Sequence, residues 1–200
     1  MSTKAEAALT ASAARELVPE LFPPRTTPTK AQIDAAINAA LTVQRRAIAF
    51  ERRPFGAVLL APDNETILLS HQSVDQVNHA EVGIMPRVDG IRLETKSSID
   101  VFDTDLAGQT IVFTVSQGIP LAMHLATIYW AHIGRIIYAA TNEQLAMLTG
   151  PGNKENFTMK WHCREVLEGS QKDIEIIGPV EGMDQIVITE SDRFWSKTRK

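Results

Sequence analysis

The residues best suited to chemistry are Asn78-His79-Ala80-Glu81, which open a predicted helix soon after the segment Pro54-Phe55-Gly56-Ala57-Val58. A histidine and a glutamate two apart at a helix start can bring an imidazole and a carboxylate into one pocket, where the helix N-terminus favours negative charge. Such a pair can take a proton from one atom of a ligand and return it to another. Glu81 is the candidate general acid/base and His79 its partner. The same triplet also fits a capped helix start without chemistry, so its surroundings decide its meaning. Gly150-Pro151-Gly152 lacks the spacing and the lysine-serine ending of a phosphate-cradling loop, which argues against nucleoside triphosphate chemistry.

Bulk properties narrow the field. A chain of 200 residues is long enough for one domain with a real core and too short for two ordinary ones. Hydrophobic residues make up 44% and charged residues 22%, which excludes wholesale disorder and collagen-like sequence. The formal net charge is −4, so no broad attraction to duplex nucleic acid or to anionic lipid is expected. No apolar run reaches the ~20 residues of a membrane span. Cys163 is the only cysteine, which rules out an intrachain disulfide and any metal site needing two thiolates, and a reducing, cytoplasmic setting is expected.

Elements must position the triplet, and most are legible. Thr29 is a predicted cap for a helix whose inner side carries Ile33, Ile37, Ala40, Leu41 and Ala47, leaving Lys30, Asp34, Gln44 and Arg45 for water. Residues 55–61 and 66–70 read as two strands joined by a tight turn at Pro62-Asp63-Asn64. Further strands are predicted at 111–115, 135–140 and 173–177, and helices at 120–132, 143–148 and 161–168. Residues 86–107 carry no readable pattern. The expected organisation is a partly irregular N-terminal segment 1–29, one domain over 30–196 and a basic tail 197–200. Strands alternating with helices make this an α/β layered domain around a mixed sheet.

Several of these segments, taken in order, resemble the cytidine deaminase-like superfamily, and within it the nucleoside and guanine deaminases. They are Pro54-Phe55-Gly56-Ala57-Val58, Ser70-His71-Gln72-Ser73-Val74, His79-Ala80-Glu81, Thr127-Ile128-Tyr129-Trp130-Ala131, Cys163-Arg164-Glu165-Val166 and Arg193-Phe194-Trp195. The resemblance covers the chain from about Ile33 onward. It implies a three-layer α/β/α sandwich around a five-stranded mixed sheet, usually a homodimer, acting on a nucleobase-like small molecule. In active relatives a histidine and two cysteines hold zinc, and the glutamate shuttles protons while metal-bound hydroxide attacks.

Here the second half of that motif is altered. Anchoring on Thr127-Ile128-Tyr129-Trp130 places Leu121 at the first cysteine position and His124 at the second. Leucine donates no lone pair, so the inherited set keeps at most His79 and His124, fewer than the three protein ligands zinc normally takes. His132 lies eight residues past His124, roughly 12 Å along a helix, too far for a shared ion. No cofactor is therefore expected. Glu81, His79 and His124 form the expected catalytic set, with His71, Gln72, Ala57, Phe55, Phe194 and Trp195 around the ligand. Three readings stay open: zinc-independent acid/base chemistry on a small heterocycle or C=N or carbonyl compound, hydrolytic deamination at an altered metal site, and a non-catalytic homologue that binds a ligand or a partner copy.

Overall fold

The computed structural model describes residues 11–19, 22–74, 79–80, 107–115, 125–126, 128–156 and 161–199. Its centre is a five-stranded sheet in the order β2-β1-β3-β4-β5, with β1 Gly56–Leu60, β2 Ile67–Gln72, β3 Thr110–Val115, β4 Arg135–Ala140 and β5 Glu175–Ile177. β1 pairs antiparallel with both β2 and β3, while β3, β4 and β5 run parallel. The apolar runs explain the order. Every residue of β1, β3 and β4 is buried, as strands covered on both faces must be, whereas β2 at the edge stays largely open.

Helices cover the two faces. The first layer pairs α2, Lys30–Ala49, with α5, Met183–Trp195; a short α1, Ala11–Leu17, precedes them in the chain. As the sequence predicts, Thr29 caps α2: its hydroxyl accepts from the Gln32 N–H at 3.2 Å while the Gln32 carboxamide accepts from the Thr29 N–H at 2.9 Å. Gly56 lets α2 lie close against β1, since a Cβ there would stand 2.3 Å from the Ala40 carbonyl oxygen. On the opposite face, Cys163 and Arg164 of α4, Cys163–Leu167, act on the Tyr138 side chain, while α3, Asn142–Thr149, follows β4 and meets α5, the Gln144 amide donating to the Asp184 carboxylate at 2.6 Å. Residues 125–126 and 128–130 are helical and reach the sheet through buried Leu125 and Ile128. The three-layer expectation holds.

Four details differ from the sequence reading. Gln44 is fully buried instead of facing water, because α5 packs over it: its amide donates to the Val187 carbonyl at 3.2 Å and to the Ser191 hydroxyl at 3.3 Å. The helix expected at 161–168 is shorter, because the His162 N–H is taken by the Glu165 carboxylate at 2.8 Å, which fixes the start at Cys163. α1 falls in the segment read as irregular. α5 was not predicted: its buried stripe Met183, Val187, Ser191 and Trp195 recurs every four residues, but Ser191 interrupts the apolar pattern that signals a helix.

Register sorts the strand residues by face. Gly56 partners Gln72, Val58 partners Val112 and Val112 partners Ile137, so these share the α2 side. His71, Ala57, Phe113 and Tyr138 form one row across four strands on the other side. Among the described residues no helix is long and apolar enough to cross a membrane.

Candidate active site

The candidate site is built where β1 begins and β3 ends. The two strands run antiparallel, and the Gly56 N–H donates to the Thr114 hydroxyl at 3.2 Å, which pins the start of one beside the finish of the other. The Ser73 N–H donates to the Phe55 carbonyl at 3.2 Å and brings the end of β2 to the same place. In an open sheet the carboxyl ends of parallel strands beside a change of direction form a crevice where ligands bind, and β3 is the strand at which the direction changes here.

His79 occupies this end and is only 5% exposed. Its ring stacks on Phe55 with centroids 5.8 Å apart and planes 17° from parallel. Trp195 approaches Phe55 from α5 at 6.3 Å and 52°, and Phe194 meets Trp195 edge-on at 5.0 Å. The imidazole is thus held by a chain of rings anchored in the core, which restricts its plane before any ligand arrives. Ala80, fully buried, already has helical backbone, in keeping with the predicted helix start. Glu81, Leu121 and His124 lie outside the described residues.

The remaining expected ligand-contacting residues divide. His71 and Ala57 are cross-strand partners on the face away from α2. Gln72, one position on, faces α2, and its carboxamide oxygen accepts from Arg46 Nε at 2.5 Å. A guanidinium can only donate, so the amide oxygen must point at Arg46 and the NH₂ away from it. Phe194 and Trp195 are the last two residues of α5, not a free tail, and Trp195 is wholly buried. The indole Nε1 of Trp195 finds no hydrogen-bond partner among the described residues, an unspent donor one ring away from Phe55.

The remaining histidines and the cysteine among the described residues are dispersed. His132 sits before β4, 3.4 Å from the ammonium of Lys172, and His162 lies 3.5 Å from the Glu143 carboxylate. Cys163 is buried beside Tyr138, whose phenol is pushed up mainly by burial and further by Cys163, against the pull of Arg164. Lys172 escaped the sequence reading because spacing says nothing about it. Its ammonium donates to the Tyr129 carbonyl and lies 4.2 Å from the Tyr129 ring centroid and 5.3 Å from that of Trp130. Burial lowers its pKa to about 8.

A probable cytosine deaminase of Schizosaccharomyces pombe (strain 972 / ATCC 24843) is 24% identical to this chain over 168 residues, covering 82% of the chain and 93% of that protein. Among solved structures, a guanine deaminase from Nitrosomonas europaea superposes with a TM-score of 0.62 at 13% identity, over 90% of this chain and 92% of that one. The protein NE0047 in complex with 2,6-diaminopurine superposes with a TM-score of 0.58 at 17% identity, over 88% of each chain. The fold is that of the cytidine deaminase-like superfamily. No protein-family model matches the chain.

Deaminases of this superfamily imply zinc. Among the described residues no three His, Cys, Asp or Glu side chains come together as metal ligands. Of the donors described, His132, His162 and Cys163 lie apart, each against other partners. What the deaminase-like scaffold does supply is a buried imidazole clamped by aromatic rings, two positions before a glutamate in the chain.

Proposed function

We propose that the protein is an enzyme of the deaminase superfamily that acts on a small nucleobase-like heterocycle, or a related C=N or carbonyl compound, by acid/base catalysis. Glu81 moves the proton, and His79 and His124 orient or polarise the ligand. The observation that carries the reading is His79 itself, buried and stacked on Phe55 at the sheet end where β1, β2 and β3 converge. Burial in an enclosed aromatic setting strengthens the electrostatic effect of each group on the ligand. Ala57 and His71 line one face, Phe55, Phe194 and Trp195 wall the pocket, and the Trp195 N–H offers a donor. Gln72 presents its NH₂ to an acceptor edge of the ligand once Arg46 has taken the oxygen. The chemistry proposed needs no metal, and the protein works as a homodimer, with the 70% exposed Trp130 in the apolar area a second copy would cover.

Binding of 2,6-diaminopurine and of cytosine to the purified protein, followed by turnover of whichever analogue is transformed, tests this. Glu81→Gln is expected to keep binding and to lose 10²–10⁴-fold in turnover, roughly the contribution of a positioned general acid/base. Unchanged turnover would remove the proposal.

A second reading, hydrolytic deamination at an altered metal site, is favoured by the similarity to the probable cytosine deaminase. Elemental analysis with an assay of ammonia release from cytosine and guanine separates the two. Stoichiometric zinc together with ammonia release selects the hydrolytic reading.

A further inference from the structure

At the opposite end of the sheet three guanidinium groups converge on a cavity of about 410 Å³ that the catalytic proposal does not use. Arg15, Arg25 and Arg135 line it with Glu175, Thr27 and the rigid run Phe22-Pro23-Pro24. Among the described residues two carboxylates serve the three cations. Asp173 receives both Arg15 and Arg25 on the same oxygen, Arg25 at 2.9 Å, and Glu175 accepts from Arg135 Nε at 2.7 Å. The cluster keeps one positive charge uncompensated, on a chain whose formal net charge is −4.

The donors tell the same story. Arg135 is 1% exposed and largely spent: besides Glu175 it donates to Asn64 at 2.7 Å, to the Thr110 hydroxyl at 3.3 Å and to the Thr26 carbonyl at 2.9 Å. Among the described residues Arg25 uses only two of its five N–H groups, one on the Asp173 carbonyl at 2.6 Å and one on its carboxylate. Arg15 donates once, to Asp173, and lies over the Phe22 ring at 5.9 Å. Burial lowers the pKa of Arg25, and Arg135 and Arg15 lower it further while Glu175 opposes them. A half-buried guanidinium with unspent donors and like-charged neighbours gains from an added anion on both counts.

We propose that this cavity is a binding site for a phosphate oxyanion, free or carried as a phosphomonoester, held by the unspent donors of Arg25 and Arg15 over the fixed charge of Arg135. The tetrahedral oxygens can accept from two guanidinium forks at once, which a single shared carboxylate oxygen cannot satisfy. Arg135 and Glu175 open their strands, so the cavity lies about 16 Å from the His79 end, one strand length at ~3.3 Å per residue. The site is independent of the catalytic reading.

Calorimetric titration of the full chain with inorganic phosphate at low ionic strength, against sodium chloride of matched ionic strength, is the test. One saturable phosphate per chain is expected. Arg25→Met should weaken it at least tenfold, and Arg15→Met, at a more exposed position, gives the same reading if the first variant does not fold. Asp173→Asn discriminates most sharply: it frees both arginines from their competing carboxylate, so phosphate should bind at least threefold tighter. A network that only holds the fold together predicts no such gain. Absence of saturable binding in the parent protein, or equal affinity in Asp173→Asn and the parent, would overturn the proposal.

Discussion

The two ends of the sheet are built from opposite materials. At one end His79, Phe55, Trp195 and Phe194 meet ring against ring, with the Trp195 N–H unspent. At the other, Arg135 reaches Glu175, Asn64, Thr110 and Thr26 from a single buried guanidinium and so ties together two strand starts, a hairpin turn and the N-terminal segment. The polar end fixes the chain path through directional bonds that are costly to break. The aromatic end fixes orientation through ring contacts and leaves the Trp195 N–H without a partner among the described residues. A ligand-binding end benefits from groups that are held in place yet still have bonds to give.

Substitutions that strike one end at a time can break this contrast. The largest effect on stability is expected from Arg135→Met, which leaves the buried Asn64 and Thr110 side-chain oxygens without their guanidinium donor, at about 1–3 kcal/mol in urea unfolding for each group left unsatisfied. Phe55→Leu should cost less stability, about 1–2 kcal/mol from the lost ring contacts and imperfect repacking. Its effect on turnover should be the greater one, tenfold or more, because His79 loses its stacking partner. If Phe55→Leu destabilised as much as Arg135→Met while leaving turnover intact, the two ends would not differ in the way described. Thr29→Ala, which removes the cap of α2, is expected to cost about 1 kcal/mol and leave turnover unchanged, a control for stability loss as such.

The smallest effect concerns Lys172. Its folded pKa is lowered from 10.5 to about 8, so below pH 8 both folded and unfolded chains carry the proton and the cost of burying the charge is fully present. Between about pH 8 and 10.5 the unfolded chain binds more protons, and this residue's contribution to stability rises with pH. The Tyr129 and Trp130 ring faces, which favour the ammonium, moderate that rise. Denaturant midpoints measured across that window should lose this upward component in Lys172→Met. An identical slope in the variant would show that the amine is not desolvated.

Much of the fold was legible because its signals are local. The five strands stand out as short apolar runs, and α2 announces itself through Thr29 with Gln32 and a clean apolar stripe. The solvent-facing assignment of Gln44 failed for the opposite reason: what covers it is α5, whose Val187 and Ser191 stand 143 and 147 residues further along the chain. The candidate site was legible only in part. His79 and Glu81 are adjacent enough to suggest each other, but nothing in the spacing places Phe55 and Trp195 on the imidazole, since a ring contact has no sequence period.

By itself the sequence determined the five strands, the long helix that begins at Lys30 and the order in which they follow one another. Only the tertiary structure decided which face each residue takes and which charges share a partner. His71 and Gln72 are neighbours in the chain, yet pairing with Ala57 and Gly56 sends them to opposite sides of the sheet. Arg15, Arg25 and Arg135 become a cluster only when the N-terminal segment crosses the ends of β4 and β5. Strand register and segment docking are set by contacts between distant parts of the chain, and no local pattern of residue types records them.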